Sequence, residues 1–313
     1  MTDIYAPIYT DEDAARAHLE KLQWPDGPIC PHCGTVGDAT KLQGKSTRPG
    51  VYKCKGCQKP FSVTVGTVFE RSHIPLHKWL LATELLCASK KGMSAHQLHR
   101  MLGVTYKTAW FMFHRIREAM KSDASGPLGG EGQSVQADET YYGNTSKRAK
   151  GYKKGHRHKQ QIVALVEPGG KARAFHISGA TSDTVREVLV TTADRKSVLH
   201  TDESKLYTVV GREFADHKSV NHSAGYYVGK DGATTNSVEN FFGIFKRGMV
   251  GVYHKCEPQH LQRYVTEFEF RFNNRSALGI NDTMRSDTAL KGIVGKRLTY
   301  RRINRPLEEV VRV

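Results

Sequence analysis

The stretch Thr235-Asn236-Ser237-Val238-Glu239-Asn240-Phe241-Phe242-Gly243-Ile244-Phe245-Lys246-Arg247 decides how the rest of the chain is read. Wound as a helix at about 100° per residue, it puts Asn236, Glu239, Gly243 and Lys246 in one narrow arc, and Val238, Phe241, Phe242 and Phe245 on another side. The apolar side implies a core beneath it. The other side presents a carboxamide, a carboxylate and an ammonium together, around a glycine that lets another backbone come close. Two further carboxylates stand upstream in strand-like settings, Asp138 within Ser134–Tyr142 and Asp202 at the end of Ser197–Asp202.

The order strand, strand, helix points to metal chemistry. Hard divalent cations such as Mg²⁺ or Mn²⁺ take oxygen ligands and keep positions open for substrate phosphates, so phosphoryl transfer needs convergent carboxylates, not thiols or imidazoles. Two ions about 3.5 to 4 Å apart can activate an attacking oxygen and stabilise a leaving one. Lys246 would then meet a phosphate.

Charge agrees. With 47 Lys and Arg against 31 Asp and Glu, the net charge is +16 and the pI about 9.6, which favours an anionic partner by steering and counterion release. Nucleic acid fits best, and the DNA-binding motifs described below narrow the expected partner to double-stranded DNA. No run approaches the roughly 18 apolar residues of a membrane span, and the start Met1–Ala6 lacks the basic and apolar parts of a secretory signal. The expectation is a soluble cytoplasmic protein.

Four of the six cysteines form Cys30-Pro31-His32-Cys33 and Cys54-Lys55-Gly56-Cys57, twenty residues apart. Two such knuckles complete a tetrahedral Zn²⁺ site. With short strands at 51–53 and 60–63 they predict a zinc ribbon over residues 25–65, too small to fold without its metal. His32 reads as a bystander, and Cys87 and Cys256 as packing residues.

Residues 72–121 read as a helix-turn-helix region: a helix at His77–Ala88, then Ser94 as an N-cap, a turn at Gly103, and a second helix to about Met120. The N-terminal residues of a second helix enter the major groove, so Thr105, Tyr106, Lys107 and Arg115 are candidate DNA contacts. Trp110, Phe111 and Phe113 read as core. A Gly- and Ser-rich stretch, 122–133, reads as a linker short of apolar anchors. Beyond it, strands at 135–142, 161–167 and 172–177, a serine-capped helix from Ser182 to about Thr192, and the strand ending at Asp202 make a meander, a helix and a fourth strand. The loop Lys147–Lys159 holds seven Lys or Arg and no acid. Because it leaves the strand bearing Asp138, we read it as gripping the DNA backbone through Lys147, Arg148, Lys150, Lys153, Lys154 and Arg157. In 258–273 the stripe Leu261, Val265, Phe268 and Phe272 is core. A basic tail, 276–313, carries Lys296, Arg297, Arg301, Arg302 and Arg305.

These motifs resemble the DDE transposases of bacterial insertion sequences, within them the ISXO-like group. The matching residues are Asp138-Glu139-Thr140, Thr201-Asp202-Glu203, and Asn236 and Glu239 followed by Lys246. Gly251-Val252-Tyr253-His254, His260–Tyr264 and Arg271-Phe272-Asn273-Asn274-Arg275 extend the match. The resemblance implies an α/β, ribonuclease H-like catalytic domain over 134–275, with Asp138, Asp202 and Glu239 as the Mg²⁺ ligands. Asn236 is the other residue that could be third. Glu239 is preferred, since a carboxylate binds Mg²⁺ more strongly than a neutral amide and its spacing to Lys246 fits the wider pattern.

Three functions compete: a transposase that cleaves at element ends and joins the freed 3′-hydroxyls to target DNA, a nuclease of the same fold, and a zinc-dependent DNA-binding regulator. Two N-terminal DNA-binding modules favour the first. Joining two ends implies at least a dimer on DNA, in the bacterial cytoplasm at the nucleoid.

Overall fold

The computed structural model describes residues 3–122, 126–143, 159–221, 229 and 232–299. These fall into two units, residues 3–84, 95–119 and 286–299 in one, and residues 85–94 with the described part of 120–285 in the other. The expected grip of Lys147, Arg148, Lys150, Lys153, Lys154 and Arg157, and the tail arginines Arg301, Arg302 and Arg305, lie outside the described residues.

In the first unit, α1 (Pro7–Thr10) and α2 (Glu12–Gln23) precede the ribbon, Asp11 capping α2 by accepting from the Ala14 amide at 2.7 Å. Strands β1 (Ala39–Lys41), β2 (Tyr52–Cys54) and β3 (Pro60–Phe61) form an antiparallel sheet in that order. Its small core is Cys30, Tyr52, Cys54 and Phe61, against which Trp24 packs edge-on at 5.5 and 5.8 Å from the Tyr52 and Phe61 rings. So little apolar area leaves the rest of the stability to the cysteines. Next come α3 (Leu76–Ala88), α4 (Ala95–Leu102) and α5 (Tyr106–Ala119). Gly103, at φ +62°, supplies the left-handed turn that stops α4.

In the second unit, β4 (Ser134–Tyr142), β5 (Gln160–Val166) and β6 (Ala172–Ile177) form an antiparallel meander. After α6 (Ser182–Thr192), β7 (Val198–Asp202) returns parallel to β4, and β8 (Asp216–Val220), which the sequence reading omitted, is parallel to β7. The order β6-β5-β4-β7-β8 is that of a ribonuclease H-like sheet. Alternation divides it cleanly. Val135, Ala137, Val163 and Leu165 face α6 in one core, while Ile162, Ala164 and Val166 face α7 (Asn236–Gly248) and α8 (Pro258–Asn273) in the other. Val238, Phe241, Phe242 and Phe245 are buried there, as are Leu261, Val265, Phe268 and Phe272 of α8.

The free edge of β6 is closed by side chains of α8. Gln262 and Asn273 each bond both ways, to the His176 amide and Ala174 carbonyl and to the Ala172 amide and carbonyl, and Glu269 accepts from the Ala174 amide at 3.0 Å. A helix thus does the work of a sixth strand, leaving those groups unavailable to another chain.

Three expectations change. The cap of α6 is Thr181, not Ser182: the Thr181 hydroxyl accepts from the Thr184 amide at 3.2 Å. The linker has an apolar anchor, since Leu128 is 2% exposed and exchanges 2.8 Å backbone bonds with Thr192 and Asp194. The segment after Arg275 contains α9 (Asp282–Lys291), with Ala289, Leu290 and Ile293 buried in the first unit. Among the described residues no helix is long and apolar enough to cross a membrane.

Candidate active site

The ladder between β4 and β7 ends at Gln136↔His200. Two residues further along each strand, on the α7 face, stand Asp138 and Asp202. Parallel pairing therefore sets two aspartates side by side where the ladder stops. Carboxylate oxygens of Asp138, Asp202 and Glu139 all lie within 4.8 Å of one another. Burial pushes the Asp138 carboxyl up to about 7, and the charges of Asp202, Glu139 and Glu239 push the same way. Burial also raises Glu139, opposed by the fully buried Tyr207, whose hydroxyl donates to Glu139 Oε2 at 2.5 Å. Such crowding of oxygen donors fits a hard divalent cation, which would relieve the repulsion the carboxylates impose on one another.

Glu239 does not join that close trio. It is exposed on the first turns of α7, and the Thr235 hydroxyl donates to its Oε1 at 2.7 Å. Its charge nonetheless reaches Asp138. Asn236, the first residue of α7, is exposed one turn earlier, its amide donating to Thr234 Oγ1 at 3.2 Å. Lys246 is exposed two turns beyond Glu239, about 10 Å along the axis. Among the described residues no other backbone comes close to Gly243: a Cβ there would meet nothing nearer than Arg247 Nη2 at 3.9 Å. The glycine of α7 that packing requires is Gly248, where a Cβ would fall 2.3 Å from Phe268 and 2.7 Å from the Lys91 carbonyl oxygen. A groove of about 530 Å³ opens beside Asp202, lined by Glu203, Ser204, Arg212 and His217 among others.

In the other unit, the sulfurs of Cys30, Cys33, Cys54 and Cys57 lie within 4.8 Å of one another, with Cys30 to Cys57 and Cys33 to Cys54 both 3.6 Å. Four thiols gathered so closely and left unbridged fit one tetrahedral Zn²⁺. Hydrogen bonds from the Thr35 side chain and backbone draw the Cys33 thiol down to about 6, toward the thiolate a metal takes. His32 is exposed and outside the group.

Tyr106 and Lys107 open α5 and are exposed, Tyr106 stacking on His96 at 4.2 Å. Thr105 is exposed too, but its hydroxyl accepts from the Thr108 amide at 3.2 Å as the helix cap. Arg115 departs from expectation. It is half-buried, donates to the Glu70 carbonyl at 3.3 Å and lies 4.9 Å over the Phe111 ring, so packing occupies it.

Sequence reasoning missed Glu139, Tyr207, Gln136 and His200 as parts of the site. A signal existed for the last two. Each is a polar residue flanked by apolar neighbours, Val135 and Ala137 or Leu199 on the α6 side, and stands two before an aspartate and so on its face.

The family model for an ISXO2-like transposase domain matches residues 127–273, and that for a transposase zinc-ribbon domain matches residues 10–60, together more than half of the chain. An uncharacterized protein in transposable element ISH50 of Halobacterium salinarum is 26% identical over 279 residues, covering 84% of this chain and 91% of its own length. Among solved structures, the Mos1 transposase paired-end complex with left transposon end is 12% identical over 68% of this chain and 74% of that one, with a TM-score of 0.30. A chain from the structure of the simian T-cell lymphotropic virus intasome in complex with PP2A regulatory subunit B56 gamma is 14% identical over 58% of this chain and 66% of its own, just under two thirds, with a TM-score of 0.29. The fold assignment rests on strand order, not on these two likenesses. With a ribonuclease H-like sheet behind the aspartates and four clustered cysteines ahead of it, the chain belongs to the ISXO2-like DDE transposases.

Proposed function

We propose that the protein binds the ends of an insertion sequence, cleaves DNA strands there and joins the freed 3′-hydroxyls to target DNA. One observation carries this reading: Asp138 and Asp202 stand together at the end of the β4–β7 ladder, with carboxylate oxygens within 4.8 Å, on the strand face that receives the helix of Glu239. Asp138, Asp202 and Glu239 would hold Mg²⁺ or Mn²⁺, Glu239 being favoured over Asn236 because it alone of the two bears a charge. When bound, divalent ions there supply activation of the attacking oxygen and stabilisation of the leaving one. In the first step water attacks phosphorus, and the departing 3′-oxygen takes up a proton. In the second, that 3′-hydroxyl attacks a target phosphodiester and displaces its 3′-oxygen, so each step breaks one P–O bond and forms one.

The remaining residues position the substrate. Lys246 engages a phosphate near the reacting one, and the bare arc at Gly243 admits the DNA backbone. Tyr106 and Lys107 read or grip the element end, and the basic loop from Lys147 holds phosphates without regard to sequence. Cys30, Cys33, Cys54 and Cys57 hold a structural Zn²⁺ that folds the ribbon. The protein works in the cytoplasm as at least a dimer on DNA, one protomer or more for each end.

The test is to incubate the purified protein with linear DNA carrying the element ends, a supercoiled target and Mg²⁺. Joined products are expected. Cleavage without joining would make it a nuclease of the same fold, and end binding without either would make it a regulator.

A further inference from the structure

The first-turn amides of a helix need acceptors, and a threonine at the N-cap ordinarily supplies one. Thr235 stands at the N-cap of α7 and makes no capping bond. Its hydroxyl is turned to Glu239 instead, at 2.7 Å. The cap comes from another element. Gln136 of β4 accepts from the Ser237 amide at 2.8 Å and from the Val238 amide at 3.3 Å, both through Oε1. Two N–H donors fix the orientation of that carboxamide, because only its oxygen can accept. The neighbouring strand does likewise: His200 Nδ1 accepts from the Thr234 amide at 3.4 Å.

Gln136 and His200 face each other in the β4–β7 ladder, and each lies two residues before an aspartate on the same strand face. The segment 234–238, which leads into Glu239, is therefore pinned to the two strands that carry Asp138 and Asp202. The arrangement is costly. Gln136 is fully buried, and its Nε2 has no partner among the described residues.

We propose that Gln136 is a positioning residue for the third carboxylate. By capping α7 from β4 it releases Thr235 to hold Glu239, and so fixes the turn that carries Glu239 to the strands that carry Asp138 and Asp202. His200 steadies the same segment. The inference rests on the reading of these three acids as the ion-holding set.

The test uses the full chain and Mn²⁺, with binding followed by electron paramagnetic resonance of the free ion and cleavage of end DNA followed in parallel. Gln136→Leu removes the acceptor. It should weaken Mn²⁺ binding by about tenfold to a hundredfold, the range for lost orienting partners of metal ligands, and leave KM for DNA within about twofold. Gln136→Glu keeps an oxygen toward both amides and should restore both binding and cleavage rate. Wild-type Mn²⁺ binding in a folded Gln136→Leu protein, or a Gln136→Glu protein as impaired as the leucine variant, would overturn the proposal. Should Gln136→Leu fail to fold, Thr235→Val decides: it leaves the cap in place, should weaken Mn²⁺ binding in the same way, and overturns the proposal if it does not. Asp138→Asn separates the two readings. If that variant binds Mn²⁺ like the wild type, the acids do not hold the ion and the wider reading falls; if it loses the ion while Gln136→Leu keeps it, only the positioning role falls.

Discussion

Asp138→Asn should make the metal-free protein more stable while abolishing strand cleavage and joining. The Asp138 carboxyl is raised from an ordinary 3.8 to about 7, first by burial and then by Asp202, Glu139 and Glu239. At about 1.4 kcal/mol per unit, holding it ionised in the folded state costs on the order of 4 kcal/mol. The sign follows from proton binding. Between pH 3.8 and about 7 the folded state keeps a proton that the unfolded chain has released, so stability falls as pH rises through that window and stays low above it. Asparagine carries no such charge. Its advantage should be near zero around pH 4 and complete by pH 8, where at about 2–4 °C per kcal/mol the second unit would melt on the order of 10 °C higher. Denaturation in chelator at pH 5 and pH 8 measures this directly. Adding Mn²⁺ should stabilise the wild type and not the variant, since only a state that binds the ion gains from it. An Asp138→Asn protein no more stable than the wild type in chelator at pH 8 would refute the claim that these carboxylates crowd one another.

Two other perturbations probe the ribbon and the exposed arc of α7. Metal analysis should find about one zinc per chain, and Cys54→Ser should lose it and open residues 25–65 to protease while the second unit stays folded; retention of zinc and of wild-type resistance would count against the four-cysteine site. Gly243→Ala places a methyl whose nearest neighbour among the described residues is Arg247 Nη2 at 3.9 Å, so it should stabilise α7 by about 1 kcal/mol and weaken DNA binding. Unchanged DNA affinity in that stabilised variant would mean the arc does not meet DNA.

What could be read from the sequence was whatever repeats with a period. Short apolar runs marked the strands at 135–142 and 161–167, and the apolar stripes of α7 and α8 gave the helices that cover them, while the topology was supplied by the family resemblance. The pairing of β7 with β4 has no such signature, because it depends on where a crossover through α6 comes down. It came instead from the family resemblance. β8 escaped because Asp216-His217-Lys218-Ser219-Val220 holds a single aliphatic residue. Tyr207 escaped because it lies in a short 3₁₀ turn with no period at all. Arg115 shows why charge need not mean full exposure: its guanidinium lies against Phe111 and spends one donor on a carbonyl.

Glu139 shows where strand alternation stops being a guide. As the neighbour of Asp138 it should point to the opposite face, and it does point toward Tyr207 on the α6 side. The trio forms all the same because β4 and β7 part after Gln136↔His200, and at an open strand end a longer glutamate side chain can bring its carboxylate back beside the aspartates. Gln136 and His200 obey the alternation and were overlooked because polar residues within a strand were read singly. Taken as pairs, Gln136 with Asp138 and His200 with Asp202 repeat one pattern on two strands: a hydrogen-bonding side chain two residues ahead of an acid, on the face that receives α7. An apolar core has no use for either polar group. Their occurrence at matched positions makes sense only if a third element must be held against both strands at once, and that element is the one that carries Glu239.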